Sequence, residues 1–290
     1  MDAYFFSDLL NTLLMGLLLG GLYALIAIGL SLVFGVMKVL NVAHGDLVLL
    51  GSYFAYAAMT LLHIDPMVSL IAGIPILFAI GFLIQKYLIG PASATSMEAP
   101  LLIAFGISLI LQNLQQLIWT PMSKGLTTSY ILTSFSIGES YFPLSYLLDF
   151  FAAIVVIIIL GQFLKRSFVG KAIRGATQEK RAAQLVGINT KYINAVAFGI
   201  AMITAAIAGV FLGLTFPFTP QSGISFLIIA FGVVIIGGLG SMLGTLLGGM
   251  VLGVAQTMGG FFLGSTAQML VVYLVVLVVL SIRPQGFFGR

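Results

Sequence analysis

Two short groups of polar side chains interrupt a very apolar sequence and are the first candidates for chemistry. The first group is the hexapeptide Asn41-Val42-Ala43-His44-Gly45-Asp46. An imidazole can bind a proton or a metal, but His44 has no second ligand nearby, which argues against a metal site. Asp46 is predicted to lie in the first turn of a helix, where a carboxylate interacts favourably with the positive end of the helix dipole. The group Asn41, His44, Gly45 and Asp46 is therefore predicted to form a polar helix start.

The second group is a set of four amides in the apolar stretch near residues 100–119: Gln112, Asn113, Gln115 and Gln116. Gln112 and Gln116 share one face of a helix because they are four residues apart. Amides in apolar surroundings need hydrogen-bonding partners, which neighbouring helices or a water-filled path can supply. Both interpretations stay open, and Gln112, Asn113 and Gln116 are the candidate path-lining residues.

Known catalytic and nucleotide-binding motifs are absent from the sequence. It contains no G-x-x-x-x-G-K-[ST], no G-x-S-x-G and no H-E-x-x-H. It also contains no cysteine, which excludes disulfides, thiol catalysis and thiolate metal sites. We therefore predict a protein that is not an enzyme and that uses no metal or other cofactor.

The elements that position these residues must be membrane-spanning helices. Of the 290 residues, 60% are hydrophobic and only 7% are charged. A soluble domain carries roughly 25% charged residues, so a soluble fold of this length could not cover itself with polar surface. The composition predicts an all-α, polytopic transmembrane bundle, and the net charge of +4 does not indicate nucleic-acid binding.

Spans of roughly 20 apolar residues can be located between charges and Pro or Gly breaks. They number about nine, within a range of eight to ten, and lie near 10–37, 47–62, 67–88, 100–119, 145–164, 192–215, 223–240, 243–262 and 267–282. The first span is long enough to tilt or to break at Gly20-Gly21 or Gly35. Residues 39–45 are predicted to enter the membrane as non-helical backbone. We expect few ionisable groups in the middle of the spans.

The distribution of basic residues orients these spans. Residues 165–191 contain seven of the twelve Lys and Arg residues, and positively charged loops stay in the cytoplasm. Nine spans then place the N-terminus outside and the C-terminus, including Arg290, inside. Eleven basic residues fall inside and Lys124 alone falls outside, whereas Glu139 and Asp149 are external or at the outer interface. By this topology the Asn41–Asp46 group lies at the inner rim.

The basic segment 165–191 is predicted to contain a short amphipathic helix. Its apolar side comprises Ala172, Ile173, Ala176, Ala183 and Val186. Gly187 is a natural C-terminal stop, and Asn189 or Thr190 is a suitable N-cap for the next span. Such a helix could lie on anionic lipid or bind a soluble protein, and its composition favours neither.

Glycines spaced four residues apart indicate close helix packing. Gly240, Gly244 and Gly248 form one such series. Packing within the subunit is favoured over a dimer interface. The longest external segment, residues 120–144, is either an ordered lid or a docking site for an external partner.

Four stretches, taken together and in order, resemble one protein family. The pattern G-K-A-x-R-(seven residues)-A-A-x-L-x-G-I-N over residues 170–189 is similar to the cytoplasmic coupling segment of the branched-chain amino acid ABC transporter permeases. The Asn41–Asp46 hexapeptide, A-F-G-I-S-L-I-L-Q-N at 104–113 and G-G-L-G-S at 237–241 agree as well, as does the ending at 283–290. The chain looks most like the LivH-type subunit of the permease pair. Ile229 and Gly175 depart from the family pattern, which usually has Lys and Ala there.

The resemblance implies a function and a set of partners. Residues 1–290 would form a single permease domain containing the coupling segment 165–191. The subunit would form half of the path of an ATP-driven importer in a prokaryotic inner membrane, with a second, LivM-like permease, two cytoplasmic ATPases and an external binding protein. Lys171 and Arg174 would contact an ATPase while the alanine face fills its groove. The family pattern assigns ATPase coupling to Gly170, Lys171, Arg174, Ala183, Gly187, Ile188 and Asn189.

The competing function is a stand-alone secondary transporter or channel for a small polar solute. It predicts ionisable groups buried in the spans, for coupling to protons or ions. Neither reading identifies the solute, because an external binding protein would make most of the choice.

Overall fold

The computed structural model describes residues 2–93, 95–96, 98–131, 133–137, 140–283 and 286–287, so Glu139 and Arg290 lie outside the described residues. It contains eight helices that are long and apolar enough to cross a membrane, together with one shorter apolar helix, Ser222–Gly237, among the residues described. Each of the nine predicted spans corresponds to one of these helices. The helices are α1 (Asp2–Met37), α2 (His44–Leu62), α3 (Pro66–Ile84), α4 (Gly90–Ala92), α5 (Ala99–Trp119), α6 (Leu144–Arg166), α7 (Phe168–Gln178), α8 (Lys180–Leu185), α9 (Thr190–Thr215), α10 (Ser222–Gly237), α11 (Met242–Leu263) and α12 (Gln268–Ile282).

Helices α1 and α9 form the centre of the bundle. Within their most apolar stretches, 83% of the residues of each are buried, compared with 6% for the span that ends in α12. The outer face of α12 is therefore the face expected to meet lipid. A π-helical turn, Gln85–Ile89, joins α3 to α4.

Helix α1 is continuous, so of the two predicted alternatives, a tilt or a break, the break does not occur. Gly20 and Gly21 lie inside it and serve close packing instead of bending. A Cβ on Gly20 would overlap the backbone of Met250 in α11, and one on Gly21 would overlap the backbone of Phe150 in α6. The absent side chains therefore allow three helix backbones to approach each other.

The bundle has two ends with different composition. At one end the last turn of α1 meets the start of α11, where a Cβ on Gly35 would lie 3.0 Å from the Gly240 Cα atom. Helix α7 packs against α1, α6 and α9 at this same basic end. At the other end the Lys124 N–H donates to the Phe218 carbonyl over 2.9 Å.

Residues of the long segment 120–144 form an antiparallel hairpin, which is an addition to the predicted all-α fold. Strand β1 (Ser134–Ile137) pairs with β2 (Ser140–Pro143). The segment is tied to the bundle, because the Leu126 N–H donates to the Gly213 carbonyl over 2.8 Å and the Tyr130 hydroxyl donates to Asp65 over 3.1 Å. The described part of the segment is thus an ordered cover on this end.

Candidate functional site

The Asn41–Asp46 group lies deep in the bundle and not at its inner rim, which corrects the sequence prediction. After α1 ends, Lys38 adopts a left-handed backbone conformation with φ of 54°. Residues 38–43 are not helical, and α2 begins at His44, whose Nε2 lies 2.8 Å from the Ile26 carbonyl. Ile26 precedes the end of α1 by about 16 Å of helix rise. The chain therefore turns back into the bundle before α2 starts.

Asp46 joins α2 to α5 through polar contacts. Its Oδ2 accepts hydrogen bonds from the Ser108 hydroxyl and, over 3.4 Å, from the Gln112 amide. Its backbone carbonyl accepts from the Gln115 amide over 3.2 Å. Further along the same pair of helices, the rings of Tyr53 and Trp119 stack with centroids 4.8 Å apart. We call this line of contacts the α2–α5 seam.

The N-terminus of α10 meets the N-terminus of α2 at this point. A Cβ on Gly45 would overlap the Gly223 carbonyl, and a Cβ on Gly223 would overlap the Asp46 carboxylate. Two helices therefore begin inside the bundle with their first turns in contact. Because the free N–H groups of a helix start carry partial positive charge, this junction favours the Asp46 carboxylate.

The predicted path-lining amides are not brought together. Gln112 contacts Asp46, whereas Asn113 is exposed and donates to the Leu109 carbonyl of its own helix over 2.7 Å. Gln116 is also exposed and accepts a hydrogen bond from Gln221 over 3.1 Å. Of the two residues assigned to one shared face, Gln112 therefore faces α2, whereas Gln116 faces Gln221.

Of the residues in the seam, Ser108 was missed by sequence reasoning, and Gln115 was named among the four amides but not among the candidate path-lining residues. Both are buried, and they lie four residues before and three after Gln112. That i, i+4, i+7 spacing marks one face of a helix and was the available signal.

Two acids are buried in the bundle, each close to the start of its helix, where sequence analysis placed them at the membrane interfaces. Asp46 is 1% exposed and Asp149 is 0% exposed. Asp149 lies in the second turn of α6 and accepts a hydrogen bond from the Thr215 hydroxyl over 2.8 Å. The sequence argument against the secondary transporter is weakened by both residues.

Several buried polar atoms around the start of α2 have no hydrogen-bonding partner. They are Asn41 Nδ2, His44 Nδ1, Asp46 Oδ1 and Gln115 Oε1. Each belongs to a side chain that is at most 1% exposed. Buried polar groups in proteins are nearly always paired, so Asp46 Oδ1 and Gln115 Oε1, which belong to residues in contact across α2 and α5, mark a candidate site.

The predicted coupling segment forms α7 and α8 at the basic end. Ser167 caps α7 by accepting the Gly170 N–H over 2.9 Å, and Gly170 packs against the backbone of Leu164. Lys171 and Arg174 are exposed on α7. The cations assigned to a partner are thus accessible in the isolated subunit.

In the turn that closes the segment, Gly187 follows the end of α8 and Asn189 caps the next helix, as the sequence predicts. Gly187 has φ of 86°, a conformation that favours glycine. Ile188 is half-buried, and Asn189 caps α9 by accepting the Tyr192 N–H over 3.1 Å. The segment therefore ends in a defined turn against the start of α9.

The alanine face of the segment does not point to a partner, which corrects the prediction that it fills a groove there. Ile173 is 0% exposed, and Ala172 and Ala183 are buried as well. The first two belong to the main core of the subunit. The large apolar side chains of this segment that remain exposed are Phe168 at the start of α7 and Leu185 and Val186 at the end of α8.

The glycine series packs within this subunit. Gly244 and Gly248 of α11 lie against the backbone of α10 at Gly237. Gly240 precedes α11 in a positive-φ turn and contacts Gly35. The series thus holds α10, α11 and the end of α1 together.

These features define a class of protein: a polytopic helical membrane protein in which helices start inside the bundle beside buried polar groups. Discontinuous helices of this kind form the binding sites of many membrane transporters.

Comparison with known proteins then identifies the family. The family described as "Branched-chain amino acid transport system / permease component" matches residues 12–280. The chain is 35% identical to the high-affinity branched-chain amino acid transport system permease protein BraD of Pseudomonas aeruginosa, over 97% of this chain and 96% of that protein. It is 31% identical to the corresponding permease protein LivH of Salmonella typhimurium, over 99% and 96% of the two chains. The structure of PsaBC from Streptococcus pneumoniae in complex with Fab aligns with 99% of this chain and 98% of that chain at 13% identity and a TM-score of 0.49.

The chain therefore belongs to the permease component family of branched-chain amino acid transport systems. Members of this family are transport subunits and not enzymes.

Proposed function

We propose that this chain is one of two permease subunits of an ATP-driven importer for branched-chain or related amino acids. The observation that carries the proposal is the family match, which extends over residues 12–280 and is accompanied by relatives aligned over nearly their whole length. Residues 1–290 then act as one permease domain that supplies half of the path.

The proposed function implies three kinds of partner subunit. A second, LivM-like permease completes the path, two cytoplasmic ATPases supply the energy, and an external binding protein delivers the amino acid. The complex sits in the inner membrane of a prokaryote with its basic end in the cytoplasm, where positive loops remain. The chain contacts lipid and has no role with nucleic acid.

Helices α7 and α8 are the elements through which the ATPases act. Lys171 and Arg174 are free to bind acidic groups, and the exposed Leu185 and Val186 supply apolar contact. Ile173 anchors the segment in the core, so a displacement of α7 moves the helices packed on it. Transport is then a coupling between distant sites through rigid elements.

The Arg174→Glu variant tests this assignment. Reversing the charge of an exposed interface cation costs several kcal/mol through like-charge repulsion, on the order of a hundredfold in affinity. We expect reduced co-purification of the ATPases and loss of substrate-stimulated ATP hydrolysis.

Lys124→Glu is the matched control, because it makes the same charge change at the opposite end of the bundle. It should leave ATPase co-purification intact. If Arg174→Glu also leaves both assembly and stimulated hydrolysis unchanged, the coupling assignment is wrong.

The secondary-transporter alternative is favoured by one observation, the burial of Asp46 and Asp149. It predicts uptake into liposomes that contain the permease alone and are driven by an ion gradient. The proposed function predicts that uptake requires the ATPases and ATP.

A further inference from the structure

The junction of α2 and α10 holds two buried hydrogen-bond acceptors that lack a donor, Asp46 Oδ1 and Gln115 Oε1. The unpaired His44 Nδ1 does not belong to this group, because the His44 ring lies on the side of α2 that faces α1, where Nε2 donates to the Ile26 carbonyl. A donor to the free oxygen of Asp46 is therefore what the junction lacks.

The contacts that Asp46 does make are with neutral donors. Ser108 and Gln112, both on α5, donate to its Oδ2. Neutral donors satisfy one oxygen of a buried carboxylate but do not neutralise its charge. A cation with several N–H donors would supply both the missing hydrogen bond and the missing positive charge.

We propose that Asp46 binds the ammonium group of the transported amino acid, and that Ser108 and Gln112 occupy its carboxylate when no substrate is present. The proposal rests on the proposed function, since that function supplies a zwitterionic solute. The ammonium offers three N–H donors, which can serve Asp46 and the unpaired Gln115 Oε1 of the same junction. The junction is the point in this subunit where an amino acid passing through the path is held by its charged end.

Access to Asp46 requires α5 to move. The carboxylate is covered in this structure, and its hydroxyl and amide partners all lie on α5. Many side chains on the far face of α5 are exposed, including Leu102, Phe105 and Ile110. Separation of the α2–α5 seam therefore opens the site, and the exchange of neutral donors for ammonium keeps the carboxylate hydrogen-bonded throughout.

The test uses the complete transporter, assembled with its partner subunits and arrested with orthovanadate during turnover of ¹⁵N-leucine. The permease carries aspartate labelled with ¹³C at the side-chain carboxyl carbon. Solid-state NMR should detect a through-space ¹³C–¹⁵N coupling between an Asp carboxylate and the leucine ammonium. The Asp46→Asn variant should lose that coupling, and its leucine uptake should fall roughly 30-fold or more, because a buried charge pair loses one partner.

Two further variants guard against a purely structural effect. Asp46→Glu keeps the charge and should retain the coupling and part of the uptake. Asp149→Asn removes the other buried acid named above and should leave the coupling unchanged.

The wild-type measurement decides the question even if Asp46→Asn fails to assemble. Leucine retained by the wild type without a carboxylate coupling, or a coupling that persists in Asp46→Asn, overturns the proposal and leaves the proposed function standing. A wild-type assembly that takes up no branched-chain amino acid despite bound ATPases overturns the proposed function for this substrate class, and the Asp46 proposal with it.

Discussion

At the scale of single residues, the absence of side chains matters as much as their presence. The contact between Gly45 and Gly223 brings the backbones of α2 and α10 together. The Asp46 carboxylate lies at the same point because glycine at 223 leaves space for it. A polar site deep in the bundle thus depends on two residues with no side-chain chemistry.

The Gly45→Ala variant should be destabilised by about 1–3 kcal/mol, the usual cost of overpacking a dense interior. Its new methyl group would overlap the Gly223 carbonyl, and a backbone cannot rotate away as a side chain does. The thermal unfolding midpoint of the detergent-purified permease should fall measurably.

Gly161→Ala is the control for this substitution. It lies within α6, and an added Cβ there meets no atom within 4 Å. Since alanine is favoured over glycine in a helix by roughly 0.5–1 kcal/mol, this variant should be as stable as the wild type or more stable. Equal behaviour of the two variants would contradict the tight junction.

At the scale of elements, the proposed coupling segment, residues 165–191, keeps a fixed shape while presenting charge. Ser167, Glu179 and Asn189 cap α7, α8 and α9 in turn. Three capped helix starts within 23 residues leave little freedom to the backbone of this basic segment. Such a segment transmits force better than a flexible loop.

The Gly187→Ala variant should destabilise the turn between α8 and α9 and make this segment less rigid. Alanine in the left-handed conformation costs about 1–2 kcal/mol. We expect faster hydrogen exchange of the α8 amides and weaker stimulation of ATP hydrolysis by substrate.

Gly175→Ala serves as the comparison, since Gly175 is helical and the nearest atom to an added Cβ is 4.0 Å away. Its α8 amides should exchange as in the wild type. Slow exchange in both variants would show that the turn does not depend on glycine.

The spans were predictable from sequence, and so was the entry of a non-helical stretch before α2, whereas the depth at which α2 starts was not. Apolar length fixed where the helices lie, but it does not distinguish a helix that starts at the membrane surface from one that starts inside. The left-handed Lys38 and the return of residues 38–43 involve no distinctive apolar pattern.

The sequence also does not show which surface the apolar side of an amphipathic helix packs against. An apolar helix side such as that of Ala172 and Ile173 has the same pattern whether it faces its own bundle or another protein. The same limit applies to α5, where four neighbouring amides do not show which face of the helix is buried. In the structure the buried face is the one that carries Gln115, which lies beside Asp46.

At the scale of the whole molecule, the two ends differ in charge and in the structural elements that they carry. One end carries the basic helices α7 and α8, and the other carries the hairpin and the Lys124–Phe218 pairing. The proposed function needs this asymmetry, because the proposed ATPases and binding protein would act from opposite sides.

Single-cysteine labelling tests the orientation directly, because the chain has no native cysteine. Ser123 and Gln178 are both exposed and lie at opposite ends. In intact cells with an opened outer barrier, Ser123→Cys should react with a membrane-impermeant maleimide, whereas Gln178→Cys should react only after the membrane is permeabilised. The reverse pattern would invert the topology.

The glycine contacts along α10 have a mechanical consequence. This helix is about 24 Å long, touches Gly45 at its start and lies against Gly244 near its end. Both joints bring backbone against backbone, so little space remains in them to absorb a small displacement. A shift applied at the basic end is therefore expected to reach the deep junction through α10.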